Sequence, residues 1–192
     1  MHKAPRPTYR QALGIILALG LLLRIVLALI QPPGYDESYY LFYGRHLALS
    51  YFDHPLAVGL WAAAGQAITP LFQANPILAL RLPCLVSYTL AQGLLSEATR
   101  LWFGSRAALL ALAITSLSPL LFACGGLLLL PDSPLVLALS LLLWWLARQP
   151  LHGRRTPLES LQFGGILGLL TLCKYQSLVV VRSEERRVGK EC

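Results

Sequence analysis

Apolar blocks of membrane-spanning length, separated by short polar and proline-rich stretches, set the plan of this chain. Ala12 to Ile30 is a nineteen-residue apolar run broken only by Arg24. A bilayer-spanning helix needs about 20 such residues, so this run predicts a first transmembrane helix, ended by Pro32, Pro33 and Gly34. A cleaved signal peptide would have a shorter apolar core, and no small-x-small cleavage site precedes Gln31. Tyr35 to Leu49 has helical spacing, with Asp36 and Glu37 in its first turn, where carboxylates suit the positive end of the helix dipole. Its rings recur on neighbouring faces, as in a helix lying at a lipid–water interface. Leu56 to Ile68 is short for a span and reads as a second interfacial or re-entrant helix.

Further spans are predicted at Ile77 to Ser96, Ala107 to Cys124, Leu127 to Leu146 and Leu158 to Val181. Arg100 and Arg106 bracket a turn at Gly104. The turn before the fourth span falls either at Gly125-Gly126 or at Pro131-Asp132-Ser133-Pro134. The predicted fold class is all-α: a polytopic membrane protein of about five transmembrane helices, with interfacial helices in the first outer loop, 31–76. Residues 1–11 form a basic leader, and 12–181 form one membrane domain.

Composition agrees. The chain of 192 residues is 56% hydrophobic and 13% charged, about half the charge of a typical soluble domain. The net charge of +7 does not imply nucleic acid, because the basic residues sit at the ends of apolar blocks, where they act as topology signals. With the N-terminus inside, Lys3, Arg6, Arg10, Arg100, Arg106, Arg148, Arg154 and Arg155 all fall on the cytoplasmic side, and Asp36, Glu37, Asp53 and Asp132 on the opposite face. The implied location is a bacterial-type inner (plasma) membrane, crossed several times. Cys84, Cys124, Cys173 and Cys192 match no metal or redox spacing and read as small packing residues.

Residues 182–192, RSEERRVGKEC, place seven charges in eleven positions directly after an apolar helix. They are similar to the translation of a short-read sequencing adapter, so this segment is read as an assembly artefact and the chain as the N-terminal piece of a longer protein.

Candidate chemistry gathers in one window, Gly34 to Gly59. Outside the tail the chain has six carboxylates, Asp36, Glu37, Asp53, Glu97, Asp132 and Glu159, and three of them lie here with seven of its eighteen aromatic residues. A carboxylate just outside a span, in a ring-rich pocket, is partly shielded from water and suits a general base or a cation ligand. Asp36 and Glu37 are the candidate catalytic acids, against the plainer reading that both cap a helix. Asp53-His54 offers a proton acceptor or two metal ligands, though zinc needs three or four; the plainer reading is a turn closed by Asp53 and Pro55. Arg81, Asp132 and Lys174 are ionisable groups in or near spans, and such groups are costly in lipid unless paired or facing a cavity. Lys174 or Arg81 could neutralise a phosphate, and Asp132 could simply cap a helix.

The motifs Tyr35-Asp36-Glu37-Ser38-Tyr39-Tyr40, Tyr51-Phe52-Asp53-His54-Pro55-Leu56, Arg81-Leu82-Pro83, Pro131-Asp132-Ser133-Pro134-Leu135 and Lys174-Tyr175 resemble, in order, the N-terminal part of membrane glycosyltransferases of the C-type superfold. The nearest group holds the dolichyl-phosphate-mannose–protein mannosyltransferases and the aminoarabinose transferase of lipid A. The resemblance spans 10–181, and the family continues with further spans and a C-terminal region, so this piece alone is expected to be inactive. It implies transfer of a sugar from a polyprenyl-phosphate donor to a protein, lipid or glycan acceptor on the non-cytoplasmic face. It also implies Asp36 as the essential acid, a divalent metal ion near Asp53-His54, and Tyr39, Tyr40, Arg81, Asp132, Lys174 and Tyr175 as substrate-binding residues. The rival class is a transporter or lipid flippase, which would carry charges near the midplane of several spans and an inverted repeat. A non-catalytic membrane subunit would not need so many acids and rings in one loop.

Overall fold

A computed structural model describes residues 8–149, 156–179 and 182. Seven α-helices run in order: α1 Tyr9–Ile30, α2 Tyr35–Arg45, α3 Ala57–Ile68, α4 Pro76–Phe103, α5 Ser105–Leu117, α6 Asp132–Ala147 and α7 Pro157–Cys173. The described residues contain no strand, only an isolated bridge between Ser50 and Pro55. This is an all-α membrane protein.

The central helix is α4, which packs against α1, α3, α5 and α6. Asn75 caps it, its side chain accepting from the Leu78 N–H at 2.9 Å, with Pro76 at the first helical position. It runs seven residues past Ser96 and ends at Gly104, whose φ of 85° is the left-handed value that favours glycine. The turn thus lies where Arg100 and Arg106 bracket it.

Helices α1 and α4 are long and apolar enough to cross a membrane. The other three predicted spans are shorter, for reasons visible in the chain. The third breaks at Ser118, which is extended (ψ 114°) because the following Pro119 disfavours helical geometry in the residue before it. The chain then re-coils into one wide turn at Leu121–Gly125. The fourth begins at Asp132, not at Leu127; the residues between Gly126 and Pro131 form a non-helical segment in which Leu127 and Leu129 are buried. The fifth stops at Cys173, so Lys174 and Tyr175 follow the helix instead of lying within it. Helix α2 stops at Arg45, four residues short of the predicted Leu49. Residues 1–7, 150–155, 180–181 and 183–192 lie outside the described part, and with them most of the basic leader, two loop arginines and all but Arg182 of the adapter-like tail; Tyr9 to Gln11, expected in the leader, already belong to α1.

Helices α2 and α3 form a hairpin, with α3 also packed against α4, and small residues permit that approach. A Cβ on Gly44 would lie 2.8 Å from the Ala62 Cβ, and one on Gly65 would lie 2.8 Å from the Leu80 Cα. Gly65→Val should therefore lower the thermal midpoint in detergent, at a cost of about 1–3 kcal/mol typical of overpacking.

Charge is segregated along the bundle. Asp36, Asp53 and Asp132 all act electrostatically on Tyr40 at the hairpin end, whereas Arg10, Arg100 and Arg148 converge on Glu97 at the other. Between them, fully buried Arg24 donates to Thr89 Oγ1 (2.9 Å) and Gln92 Oε1 (3.3 Å) and lies 4.9 Å from the centre of the Tyr88 ring. Neutral polar groups and a ring face hold this mid-span cation.

Candidate functional site

Helix α1 ends with unfilled carbonyls and α2 begins with unfilled N–H groups, as every helix does. One ion pair serves both. Buried Arg81, on α4, donates from Nη1 to the Ala28 and Gln31 carbonyls (3.2 and 2.9 Å) and from Nη2 to the Pro32 carbonyl (3.1 Å). Its Nε and Nη2 grip Glu37 Oε1 and Oε2 at 2.9 and 2.7 Å. Glu37 Oε2 also accepts from the Gly34 N–H (2.9 Å), and Oε1 from the Leu129 N–H (3.0 Å).

All five guanidinium donors and both carboxylate oxygens are thereby engaged, which fixes α1, α2, α4 and the 126–131 segment together. Burial pushes the Glu37 pKa up, but the hydrogen bonds from Arg81, Gly34 and Leu129 outweigh it and hold the carboxyl below its ordinary value. The expectation that Glu37 does acid–base work and Arg81 meets a phosphate is revised on this ground. Neither has a free atom to offer.

The adjacent acid differs completely. Asp36 is exposed and makes no hydrogen bond or ion pair among the described residues. Helical geometry turns neighbours about 100° apart, so burying Glu37 leaves Asp36 on an open face. Beside it, buried Tyr40 has its phenol pKa pushed up to about 12, by burial first and then by the charge of Asp36, followed by Tyr43, Asp53 and Asp132.

A phenol network orders the rest of the hairpin. Tyr43 donates to the Tyr39 hydroxyl (2.6 Å), which donates to Asp53 Oδ2 (2.8 Å). The bonds from Tyr43 and to Asp53 raise the Tyr39 pKa. Tyr51 stacks on Tyr43 with ring centroids 3.7 Å apart and donates to the Tyr43 carbonyl at 3.0 Å. Its oxygen accepts the Ala48 N–H (3.0 Å), which accounts for α2 ending early. Nothing in the motif Tyr51-Phe52-Asp53-His54 singled out this anchoring use of Tyr51. The spacing of Tyr39 and Tyr43, one helical turn apart, was the available signal for their contact.

After α7 the chain opens, and Lys174 Nζ reaches Asp132 Oδ1 at 2.9 Å. Tyr175 donates to the Tyr51 carbonyl (3.0 Å) and meets Ser50 Oγ (2.6 Å). Its hydroxyl is therefore tied to the 46–56 loop, which it pins against the end of α7. Tyr175→Phe should loosen that loop with little loss of global stability, read as faster amide exchange at 46–56.

His54 packs edge-on to Tyr40, with centroids 5.6 Å apart, and its Nδ1 is buried without a partner. Burial, and then the charge of Lys174, lower its pKa against the pull of Asp53 and Asp132. Imidazole and carboxylates thus share one neighbourhood. Even so, no three His, Cys, Asp or Glu side chains among the described residues are gathered closely enough to hold a metal ion. Asp53 is taken by Tyr39, Asp132 by Lys174 and Glu37 by Arg81. The described residues do not fit a protein-built metal centre.

A wholly apolar cavity of about 70 Å³ lies between α3, α6 and α7, lined by residues including Leu56, Trp61, Pro134, Leu137 and Cys173. Two of its lining residues, Pro134 and Cys173, are close in sequence to Asp132 and Lys174, which are not themselves part of the lining.

Residues 53–183 match the dolichyl-phosphate-mannose-protein mannosyltransferase family, just over two thirds of the chain. The match opens at Asp53, so Asp36 and Glu37 precede it. No curated protein and no solved structure matches the chain.

Proposed function

The chain belongs to the dolichyl-phosphate-mannose-protein mannosyltransferase family, and from that premise we propose that it moves a sugar from a polyprenyl-phosphate donor to an acceptor hydroxyl on the non-cytoplasmic face of the membrane. The observation that carries this reading is the division of labour among the acids at the hairpin end. Glu37, Asp53 and Asp132 each hold a partner, and Asp36 alone is exposed and uncommitted among the described residues.

The chemistry is a single displacement. The acceptor oxygen attacks the anomeric carbon as its proton passes to the Asp36 carboxylate. The bond from that carbon to the phosphate oxygen breaks, and the lipid phosphate leaves with the electron pair, inverting the sugar. Lys174 meets the charge that grows on the leaving phosphate. It is free to do so because its ion pair with Asp132 is part-exposed and exchangeable, unlike that of Arg81. The apolar cavity between α3, α6 and α7 suits a lipid-linked donor, since it offers carbons of a polyprenyl chain a dry wall. The exposed rings of Tyr35, Tyr39 and Phe52 suit stacking on a sugar.

The segregation of acids and arginines supports a cytoplasmic N-terminus and an outward-facing site in a multi-pass plasma-membrane protein. Lys174→Ala should lower kcat about a hundredfold, the loss typical of removing one transition-state donor, with partial rescue by Lys174→Arg; steady-state kinetics checks this.

The reading is tested with the full-length protein and a radiolabelled polyprenyl-phosphate sugar. Label is expected on the acceptor, with unlabelled polyprenyl phosphate released. Label that crosses the bilayer still joined to its lipid phosphate would mean a flippase.

A further inference from the structure

The opposite end of the bundle carries a second site. A groove of about 700 Å³ opens between the start of α1, the last turns of α4 and the start of α5, lined by Tyr9, Arg10, Leu13, Glu97, Arg100 and Ser105. The geometry points to a binding site for the headgroup of an anionic glycerophospholipid of the bilayer.

Three observations carry it. The first is charge. Arg10 and Arg148 lie close enough to act on Glu97, Arg106 follows the lining residue Ser105, and Arg100 spends its Nε and Nη2 on Glu97 at 2.8 and 2.6 Å. Three arginines thus share one carboxylate, and a fourth, Arg106, adjoins the groove in sequence. Arg10 and Arg106 are exposed and make no direct ion pair among the described residues.

The second is that the walls are already built. The Tyr9 hydroxyl is held by Ser96 Oγ at 3.1 Å, and its ring lies 5.8 Å from the Arg100 guanidinium. Gly104 reverses the chain there without any side-chain cap on α5, so the first N–H groups of that helix also face an unfilled end.

The third is depth. Trp102 and Phe103, just past Arg100, are exposed, and Arg148 stacks 4.6 Å from the centre of the Trp144 ring. Exposed aromatic rings mark the headgroup level of a bilayer. Below the groove the outer face of α1 is exposed and apolar through Ile15, Leu19 and Leu22, a path for acyl chains. The positive-inside rule accounts for arginines at this end of the chain. It does not account for two of them, Arg10 and Arg100, lining a walled groove with one acid.

The ligand chemistry is a phosphodiester monoanion accepting from Arg10, Arg106 and the remaining Nη1 of Arg100, with chains running down α1. This site is independent of the catalytic reading and stands or falls separately.

The test uses the full-length protein in micelles of equal phosphatidylglycerol and phosphatidylcholine, with retained lipid read by native mass spectrometry. Phosphatidylglycerol should be retained about tenfold over phosphatidylcholine, in line with the attraction of a few arginines for an anionic surface. The double variant Arg10→Ala/Arg106→Ala should bring the two lipids to parity. Arg45→Ala, which removes an arginine from the other end, should leave the preference intact. If the double variant does not fold, thermal unfolding of the wild type decides. Phosphatidylglycerol should then raise the midpoint, and neither phosphatidylcholine nor glycerol phosphate should match it. Parity in the wild type, an undiminished preference in the double variant, or equal protection by free glycerol phosphate would each overturn the assignment.

Discussion

Asp36→Asn is expected to abolish sugar transfer in the full-length protein while leaving membrane insertion and the thermal midpoint unchanged. The substitution keeps the size and planar shape of the side chain and removes its negative charge, and with it the ability to take a proton. Asp36 makes no hydrogen bond or ion pair among the described residues, so no bonded contact is lost with its charge. General-base catalysis typically contributes about 10²–10⁴-fold, and a drop of that size in kcat with KM nearly constant is the expected signature. Steady-state transfer kinetics, run beside a melting curve, checks both halves. Full activity in the variant would remove Asp36 from the mechanism.

The second large effect has the opposite signature. Arg81→Ala should destabilise the fold by about 3–5 kcal/mol, the usual cost of stripping one partner from a buried ion pair. The change orphans Glu37 together with the Ala28, Gln31 and Pro32 carbonyls. Arg81→Lys should restore little, because a single ammonium has three donors and cannot reproduce a fork that fills five.

Glu37→Gln should destabilise in the same direction, and pH should reveal why. The Glu37 carboxyl is held below its ordinary value of 4.5 in the folded protein. Its contribution to stability is thus complete above that value and is lost as pH falls through the lower, folded one. Acid unfolding of the wild type should therefore be steeper than that of Glu37→Gln in this range. Adjacent carboxylates in one helical turn are in this way separated by experiment: one governs rate, the other stability.

Much of the frame was legible in the chain. The apolar runs behind α1 and α4, the turn at Gly104 and the gathering of acids and rings in one loop follow from local composition, which is where hydropathy and backbone geometry act. The expected span from Ala107 to Cys124 runs through Ser118, although Pro119 constrains the residue before it and ends the helix there. What stayed hidden is pairwise and distant. Asp36 and Glu37 look alike in sequence, and only the arrival of Arg81 from α4 and of the Leu129 N–H from the 126–131 segment decides which of them is consumed. The end of α2 is hidden for the same reason: it depends on Tyr51 returning to take the Ala48 N–H. Lys174 and Asp132 each read as costly intramembrane charges, and their contact depends on α7 ending at Cys173.

Transfer as proposed requires an uncommitted acid at position 36 that faces outward beyond the bilayer. Its most direct test is sidedness. A single cysteine placed at 36, in a full-length protein with its native cysteines changed to serine, is exposed in intact cells to a membrane-impermeant maleimide. The account predicts labelling without permeabilisation, and faster than at a cysteine placed at 37, where the side chain is buried. Labelling at 36 only after the membrane is opened would put the loop in the cytosol and contradict it.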